Sequence, residues 1–259
     1  MDAFAPAPGD LVLEIGPGRG ALTGQLAGKA VELAAIELDP ALAEALSEKF
    51  AESPGVRIIE GDALELLRFG LPGLAAEMGA SGQRRLRVIG NLPYSIATPL
   101  VREIASHGSL ICDALVMVQK EVADRILAPP GSRETGLLTI LIALQADARR
   151  LFDLAPGAFR PRPQVRSTVL ALRMPAAPLH PAETLRRVEA LASLAFSHRR
   201  KTMLNALAGA KRETAAGGPP PAARIEALLR SAGIDPTERP ERITPERWVT
   251  LAELADPQF

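Results

Sequence analysis

The chain has 259 residues, of which 47% are hydrophobic and 3% aromatic, with 30 basic and 30 acidic residues. This hydrophobic fraction excludes a disordered chain, and a single cysteine excludes an internal disulfide and indicates a reducing compartment. No apolar run is long enough to span a bilayer, and residues 1–10 lack the pattern of a secretion signal. We therefore expect a cytoplasmic protein without membrane contact.

The neutral total conceals an uneven distribution of charge. The first 80 residues carry 13 acidic and 5 basic residues, whereas residues 81–259 carry 17 acidic and 25 basic residues. A basic second half is typical of a nucleic-acid partner, although a dipolar surface without such a partner gives the same count.

The first half of the chain alternates strand and helix patterns. Strands are predicted at residues 11–15, 33–38, 56–59, 87–90 and 114–118, and helices at 22–29, 40–52 and 99–107. A helix at 139–148 and a late strand at 165–172 follow. This alternation predicts an α/β fold with a parallel sheet and crossover helices.

After residue 174 the pattern changes. Three prolines mark a linker, and helical periodicity then dominates at 185–196, 202–207, 225–232 and 245–254, with an Ala/Gly/Pro-rich loop at 214–223. We predict two domains, residues 1–176 with the sheet and residues 177–259 as a small all-helical domain.

A glycine-rich segment, Gly16-Pro-Gly18-Arg-Gly20, follows the first strand and opens a helix. Glycines allow the backbone to turn tightly and to approach a ligand closely. The segment also fits the G-x-G-x-x-A pattern through Ala21, so a nicotinamide dinucleotide site competes with a methyltransferase cofactor site, and a purely structural turn is a third interpretation.

Acidic residues follow the second and third strands. Glu37 lies 21 residues after Gly16, where a carboxylate can accept both hydroxyl hydrogen bonds of a ribose. Asp62, before Ala63, can accept a hydrogen bond from an adenine amine, although a turn role is equally consistent. Since ligands of open α/β sheets bind at the carboxyl edge, these residues predict one nucleoside-containing cofactor.

The tetrapeptide Asn91-Leu92-Pro93-Tyr94 follows the fourth strand at the same edge. The adenine amine is a poor nucleophile because its lone pair is delocalised into the ring. Two neutral acceptors, the Asn91 side-chain oxygen and the Leu92 carbonyl, can favour a localised lone pair, and Tyr94 offers a ring for stacking. No metal is expected, and the alternative is a structural turn.

Together these motifs closely resemble the ribosomal RNA small-subunit adenine dimethyltransferases, over nearly the whole chain. The matching segments are LEIGPGRGALT (13–23), AIELD (35–39), GDAL (61–64), NLPYSIATPL (91–100), VQKEVADRI (118–126), FRPRPQVRSTVL (159–170), AFSHRRKTMLNAL (195–207) and AGIDPTERPERIT (232–244). The segments at 196–207 and 233–242 are the most particular to this family.

The resemblance implies a Rossmann-like, seven-stranded S-adenosylmethionine-dependent methyltransferase sheet with a helical C-terminal domain. It implies that small-subunit rRNA, or its precursor subunit, is dimethylated at two adjacent adenines near its 3′ end. Expected site residues fall into two sets. The cofactor set is Glu14, Gly16, Gly18, Glu37, Asp62, Ala63 and Asn91, and the catalytic set is Asn91, Leu92, Pro93, Tyr94 and Phe159, with Phe159 near the flipped base.

Two basic segments without acids are candidates for phosphate contact. Their predicted RNA-binding residues are Arg160, Arg162, Arg166, Arg199, Arg200 and Lys201. For the second segment, a solvated basic helix is the alternative.

The family's Gln-Asn-Phe-Leu-type segment before the first strand has no counterpart here, so we expect the native start to lie upstream of Met1, and the alternative is a truncated product with poor cofactor affinity. Two other functions remain open at this point: methylation of large-subunit rRNA of the macrolide-resistance type, and ribosome assembly by RNA binding without catalysis. A monomer is expected.

Overall fold

The computed structural model describes residues 2–29, 31–82, 84–158, 165–209 and 222–255. The chain separates into two compact units. The first consists of Met1–Ala123 with Gln145–Pro178, and the second of Asp124–Leu144 with Leu179–Phe259.

The first unit is built on one mixed sheet. Its strands are β1 (Leu11–Ile15), β2 (Glu32–Glu37), β3 (Val56–Glu60), β4 (Leu86–Asn91), β5 (Ile111–Gln119), β6 (Asp147–Leu154) and β7 (Ser167–Arg173). Their order is β3-β2-β1-β4-β5-β7-β6, and only β7 runs antiparallel to its neighbours. The sheet confirms the predicted α/β class and the late antiparallel strand.

Helices cross over between the parallel strands. They are α1 (Thr23–Leu26), α2 (Pro40–Lys49), α3 (Ala63–Glu65), α4 (Leu71–Glu77) and α5 (Ala97–Ser106), and a π-helical turn over Leu66–Gly70 joins α3 to α4. Residues Asp39 and Pro40 determine where α2 begins. Asp39 accepts hydrogen bonds from the N–H groups of Ala41 and Leu42, and Pro40 occupies the first helical position.

The segment predicted as one helix at 139–148 is two elements. After α6 (Lys120–Ile126), helix α7 (Leu137–Ala143) ends before β6 begins at Asp147. The helix prediction was wrong at its C-terminal end because β6 is an edge strand whose side chains are mostly exposed. Its sequence therefore lacks the apolar run of the buried strands. The pairing with β7 shifts between Arg150 and Phe152.

The second unit is a helical bundle of α7 with α8 (Ala182–Phe196), α9 (Met203–Ala208), α10 (Ala222–Ser231) and α11 (Pro245–Leu254). Its core surrounds the fully buried Trp248 and includes Ile140 and Leu144 from α7. The observed division therefore differs from the predicted boundary at 176/177, because the apolar face of α7 packs with the helical unit. Most of the predicted 214–223 loop lies outside the described residues.

Within the described ranges, every helix is too short or too polar to cross a bilayer.

Candidate active site

The ends of three parallel strands bring the predicted cofactor and substrate residues side by side. In the sheet register Ile15 pairs with Ile36 on one side and with Gly90 on the other. The next residues along each strand are Gly16, Glu37 and Asn91. The Gly16 N–H donates to the Ile36 carbonyl at 3.0 Å, and a Cβ placed on Gly16 would lie 3.7 Å from the Asn91 carbonyl oxygen.

The glycine-rich turn has a backbone that favours glycine at three positions. Gly16, Gly18 and Gly20 have φ angles of +66°, +58° and +77°, in the left-handed region that side chains disfavour. A Cβ on Gly20 would lie 2.7 Å from Leu46 of α2, whereas a Cβ on Gly18 would meet nothing within 4 Å. Gly20 therefore serves packing, and Gly18 leaves an open surface on the turn.

Glu37 connects this turn to the end of β2. The side chain is only 8% exposed, and its two carboxylate oxygens accept from the N–H of Gly18 at 2.9 Å and of Asp39 at 3.1 Å. A carboxylate has about four acceptor directions, so these two bonds leave capacity for ligand hydroxyls. The carboxylate and the open surface at Gly18 fit the ribose of a nucleoside cofactor.

Glu14 is buried under the same turn. It is 1% exposed, and its carboxylate accepts from the Thr23 hydroxyl at 2.7 Å. Burial raises the pKa of Glu14 to about 7, against the lowering effect of the Thr23 hydrogen bonds, and the nearby Glu37 charge also raises it. Through this hydrogen bond Glu14 stabilises the turn from its buried side. A direct contact between Glu14 and the cofactor stays a prediction.

Asp62 caps a helix in the loop after β3. Its Oδ1 accepts from the Leu64 N–H at 2.7 Å and the Glu65 N–H at 3.4 Å, and the Gly61 N–H donates to the Glu37 carbonyl at 2.9 Å. The loop is thus joined to the end of β2, with Ala63 buried beside it. The capping agrees with the turn interpretation, and contact with an adenine amine stays a prediction for the exposed carboxylate.

The tetrapeptide at positions 91–94 is tied to two neighbouring strands. Asn91 is the exposed last residue of β4, and the next residue, Leu92, is buried and donates its N–H to the Met117 carbonyl of β5 at 3.0 Å. The hydroxyl oxygen of Tyr94 lies 3.0 Å from Oγ of Ser167 in β7. These contacts fix the loop and leave the Asn91 side chain at the surface. Sequence reasoning missed Ser167.

The predicted RNA-binding residues divide into three groups. Arg160 and Arg162 lie outside the described residues, as does Phe159 of the predicted catalytic set. Arg166 is exposed, and its carbonyl accepts from the Lys120 N–H. Arg200 and Lys201 are exposed in the turn after α8, whereas their neighbour Arg199 binds backbone carbonyls of another loop in the helical unit.

Over the described ranges, no three His, Cys, Asp or Glu side chains come together as a metal would require.

Known proteins with similar sequences point to one family. The chain matches the model of the ribosomal RNA adenine dimethylases over residues 1–220. It is 41% identical to ribosomal RNA small subunit methyltransferase A of Methylococcus capsulatus, over 98% of this chain and 90% of that protein. It is 39% identical to the protein of the same name from Pseudomonas fluorescens, over 96% and 85% of the two chains.

Solved structures agree on the fold. The 23S rRNA methyltransferase ErmE is 26% identical, with a TM-score of 0.65 over 98% of this chain and 93% of that one. A dimethyladenosine transferase from Plasmodium falciparum has a TM-score of 0.74 at 22% identity, over 96% and 91% of the two chains. With the family model matched over most of its length and relatives near 40% identity, the chain belongs to the ribosomal RNA adenine dimethylase family.

Proposed function

We propose that this chain transfers methyl groups from S-adenosylmethionine to the N6 amines of two adjacent adenines near the 3′ end of small-subunit (16S) rRNA. The observation that carries the proposal is that Asn91 lies next to the glycine-rich turn. Its backbone carbonyl oxygen is 3.7 Å from the position that a Cβ would take on Gly16. A cofactor on the turn and an amine at Asn91 would then be neighbours.

The cofactor role rests on three features of the described residues. Gly18 has open space where a side chain would stand, the carboxylate of Glu37 has acceptor capacity left, and Asp62 has an exposed carboxylate on the adjoining loop. In the proposal Glu37 accepts from the ribose hydroxyls and Asp62 from the adenine amine, with Gly16 and Ala63 bordering the ligand. Glu14 supports the glycine-rich turn from its buried side, through the hydrogen bond that it accepts from Thr23.

When bound, S-adenosylmethionine supplies an electrophilic methyl group on a sulfonium that leaves as a neutral thioether. The Asn91 side-chain oxygen and the Leu92 carbonyl accept hydrogen bonds from the target amine, which localises its lone pair. Pro93 stiffens the turn, and the Tyr94 ring stacks on the flipped base, with Phe159 on the approach. Before it loses its proton the newly methylated nitrogen carries a positive charge and is acidic, so water can accept that proton and no strong base is needed.

The remaining parts of the proposal concern RNA and context. The unit with the sheet acts as the catalytic domain, and the helical unit contributes to RNA binding through its basic residues. The protein works as a cytoplasmic monomer on the precursor of the small subunit, where its substrate is assembled.

The test is transfer of labelled methyl groups to unmethylated small subunits, followed by mapping of the modified adenines. We expect two adjacent dimethylated adenines near the 3′ end. Asn91→Ala should reduce the rate at least about 100-fold, since one acceptor on the reacting amine is lost. The matched control is Asn205→Ala, on the exposed surface of α9.

Two outcomes would overturn the proposal in different ways. The likeness to ErmE favours large-subunit rRNA as the second candidate substrate, and labelling confined to that subunit would establish it. Binding to precursor small subunits without any methyl transfer would instead identify an assembly factor. Full activity of the Asn91→Ala variant would refute the catalytic role of the tetrapeptide.

A further inference from the structure

The loop between α6 and α7, residues 129–136, is fixed by its own hydrogen bonds. The Thr135 hydroxyl donates to the Pro129 carbonyl at 2.8 Å and lies 3.0 Å from the Ser132 hydroxyl. The Gly131 N–H donates to the Glu241 carbonyl at 2.6 Å. Since Thr135 is fully buried, the loop has a defined conformation within the helical unit.

Arg199, in the turn after α8, binds this loop from outside. Its Nη2 donates to the carbonyls of Arg133 and Thr135, each at 2.7 Å, and its guanidinium carbon lies 6.0 Å from the centroid of the Phe196 ring. Nη2 carries two protons, so both are committed to the loop. A charged donor on two carbonyls makes these bonds stronger than neutral ones.

This commitment changes what Arg199 can do with a phosphate. An arginine binds a phosphate bidentately through either Nη1 with Nη2 or Nε with Nη2. Both arrangements need an Nη2 proton. Arg199 can therefore form neither arrangement without releasing a loop carbonyl, which would expose the negative end of a backbone dipole to the incoming phosphate.

The neighbouring cations are available instead. The side chains of Arg133, Arg200 and Lys201 are exposed, and among the described residues none of them has an ion-pair partner within 4.0 Å in the helical unit. The hydrogen bond from Arg199 to the Arg133 carbonyl holds the Arg133 backbone next to the turn that carries Arg200 and Lys201. Glu134 is the one acidic residue within the 129–136 loop.

We propose that Arg199 is a positioning residue that orders the 129–136 loop, so that Arg133 joins Arg200 and Lys201 in binding the RNA backbone. The surface formed by Arg133, Arg200 and Lys201 takes successive phosphates, and Arg199 acts on it through the loop. The identity of the RNA rests on the proposed function, whereas the division of roles among these residues does not.

The test is a double-mutant cycle on binding to a generic RNA duplex of about 20 base pairs, across a series of salt concentrations. We expect Arg133→Gln to weaken binding about 3- to 10-fold and to lower the salt dependence by nearly one released counterion. Arg199→Lys keeps the charge but cannot hold both carbonyls in the same way, and should weaken binding to a similar degree. Because Arg199 acts on the RNA only by positioning Arg133, Arg133→Gln in the Arg199→Lys background should weaken binding by less than about a further 2-fold.

The control is Arg57→Gln, which removes one exposed cation from β3 together with its ion pair to Glu77 and should leave the affinity unchanged. Multiplication of the two single effects in the double variant would show that Arg199 contacts RNA independently and would overturn the proposal. Unchanged affinity in Arg133→Gln would also overturn it, and this variant loses no side-chain contact needed for folding. If the variants change the affinity for the duplex as expected but the unmodified chain transfers no methyl group, the proposed function is refuted and the roles of Arg133 and Arg199 stand.

Discussion

The hydroxyl of Tyr94 and the hydroxyl of Ser167 lie 3.0 Å apart, which ties the loop after β4 to the antiparallel strand β7. Ser167 is fully buried, and Tyr94 is half-buried. The hydroxyl thus anchors the ring, and the ring is partly exposed, as the proposed stacking on a base requires. The two parts of this one side chain can be tested separately.

Tyr94→Phe should keep the ring and lose the anchor. We expect a reduction in methyl transfer of no more than about 10-fold, since one neutral hydrogen bond contributes roughly 1 kcal/mol. Tyr94→Ala should cost more, because loss of base stacking is worth about 1–3 kcal/mol. The measurement is kcat/KM on unmethylated small subunits.

Ser167→Ala is the matched control and should resemble Tyr94→Phe. Equal rates for Tyr94→Ala and Tyr94→Phe would show that the ring does not contact the base.

Glu37→Gln should weaken binding of S-adenosylmethionine by about 10- to 100-fold. The two carboxylate oxygens of Glu37 accept from different N–H groups, those of Gly18 and Asp39. An amide side chain has only one acceptor oxygen, so glutamine cannot accept from both N–H groups and also from ribose hydroxyls. Calorimetric titration measures the affinity. Glu60→Gln, at the end of β3 that pairs with Glu37, is the control and should bind S-adenosylmethionine as the unmodified chain does. Equal affinities of the unmodified chain, Glu37→Gln and Glu60→Gln would exclude a cofactor role for Glu37.

Gly18→Ala and Gly20→Ala should separate ligand binding from folding. Both place a side chain at positive φ, at a cost of about 1–2 kcal/mol. Gly20→Ala also presses against Leu46 and Phe50, so its free energy of unfolding should fall further, by about 1–3 kcal/mol.

Gly18→Ala meets no atom of the chain, so its additional effect should fall on cofactor affinity. Thermal unfolding and calorimetric titration of both variants give the comparison. The reverse ranking in either measurement would contradict this assignment.

Glu14 predicts a pH dependence of stability. Its pKa is raised from 4.5 to about 7 by burial, so between these values the folded chain holds a proton that the unfolded chain has released. The stabilising contribution is therefore complete below pH 4.5 and is lost as the pH rises through about 7, on the order of 3 kcal/mol in total. Thermal unfolding from pH 5 to pH 8 should show this decline.

Glu14→Gln is neutral at every pH and should flatten the decline, whereas Glu44→Gln, on the exposed surface of α2, should retain it. A Glu14→Gln chain with the same slope as the unmodified chain would show that another group is responsible.

Sequence reasoning predicted that Gly16, Glu37 and Asn91 lie at one edge of the sheet, and the structure places them at the ends of neighbouring parallel strands. Gly16, Glu37 and Asn91 each come directly at the end of an apolar run, and the topology of a parallel sheet brings such ends together. Their neighbouring positions needed no information beyond that topology.

The interactions that sequence reasoning missed join distant segments through side chains. The run of cations that predicts Arg199 as a phosphate ligand shows charge, but it does not show the carbonyls of Arg133 and Thr135 that accept from its Nη2. Likewise β6 was missed because its exposed side chains, Phe152 among them, give no apolar run.

The interruption in β6 has a consequence for how the chain meets other copies of itself. An outermost strand offers unpaired N–H and C=O groups to any neighbour. The shift between Arg150 and Phe152 breaks their regular spacing, and ion pairs of Arg149 with Asp147 and Arg150 with Asp153 place charge along the same border. Irregular spacing and charged side chains disfavour the pairing of another strand with β6, next to the exposed Leu151 and Phe152.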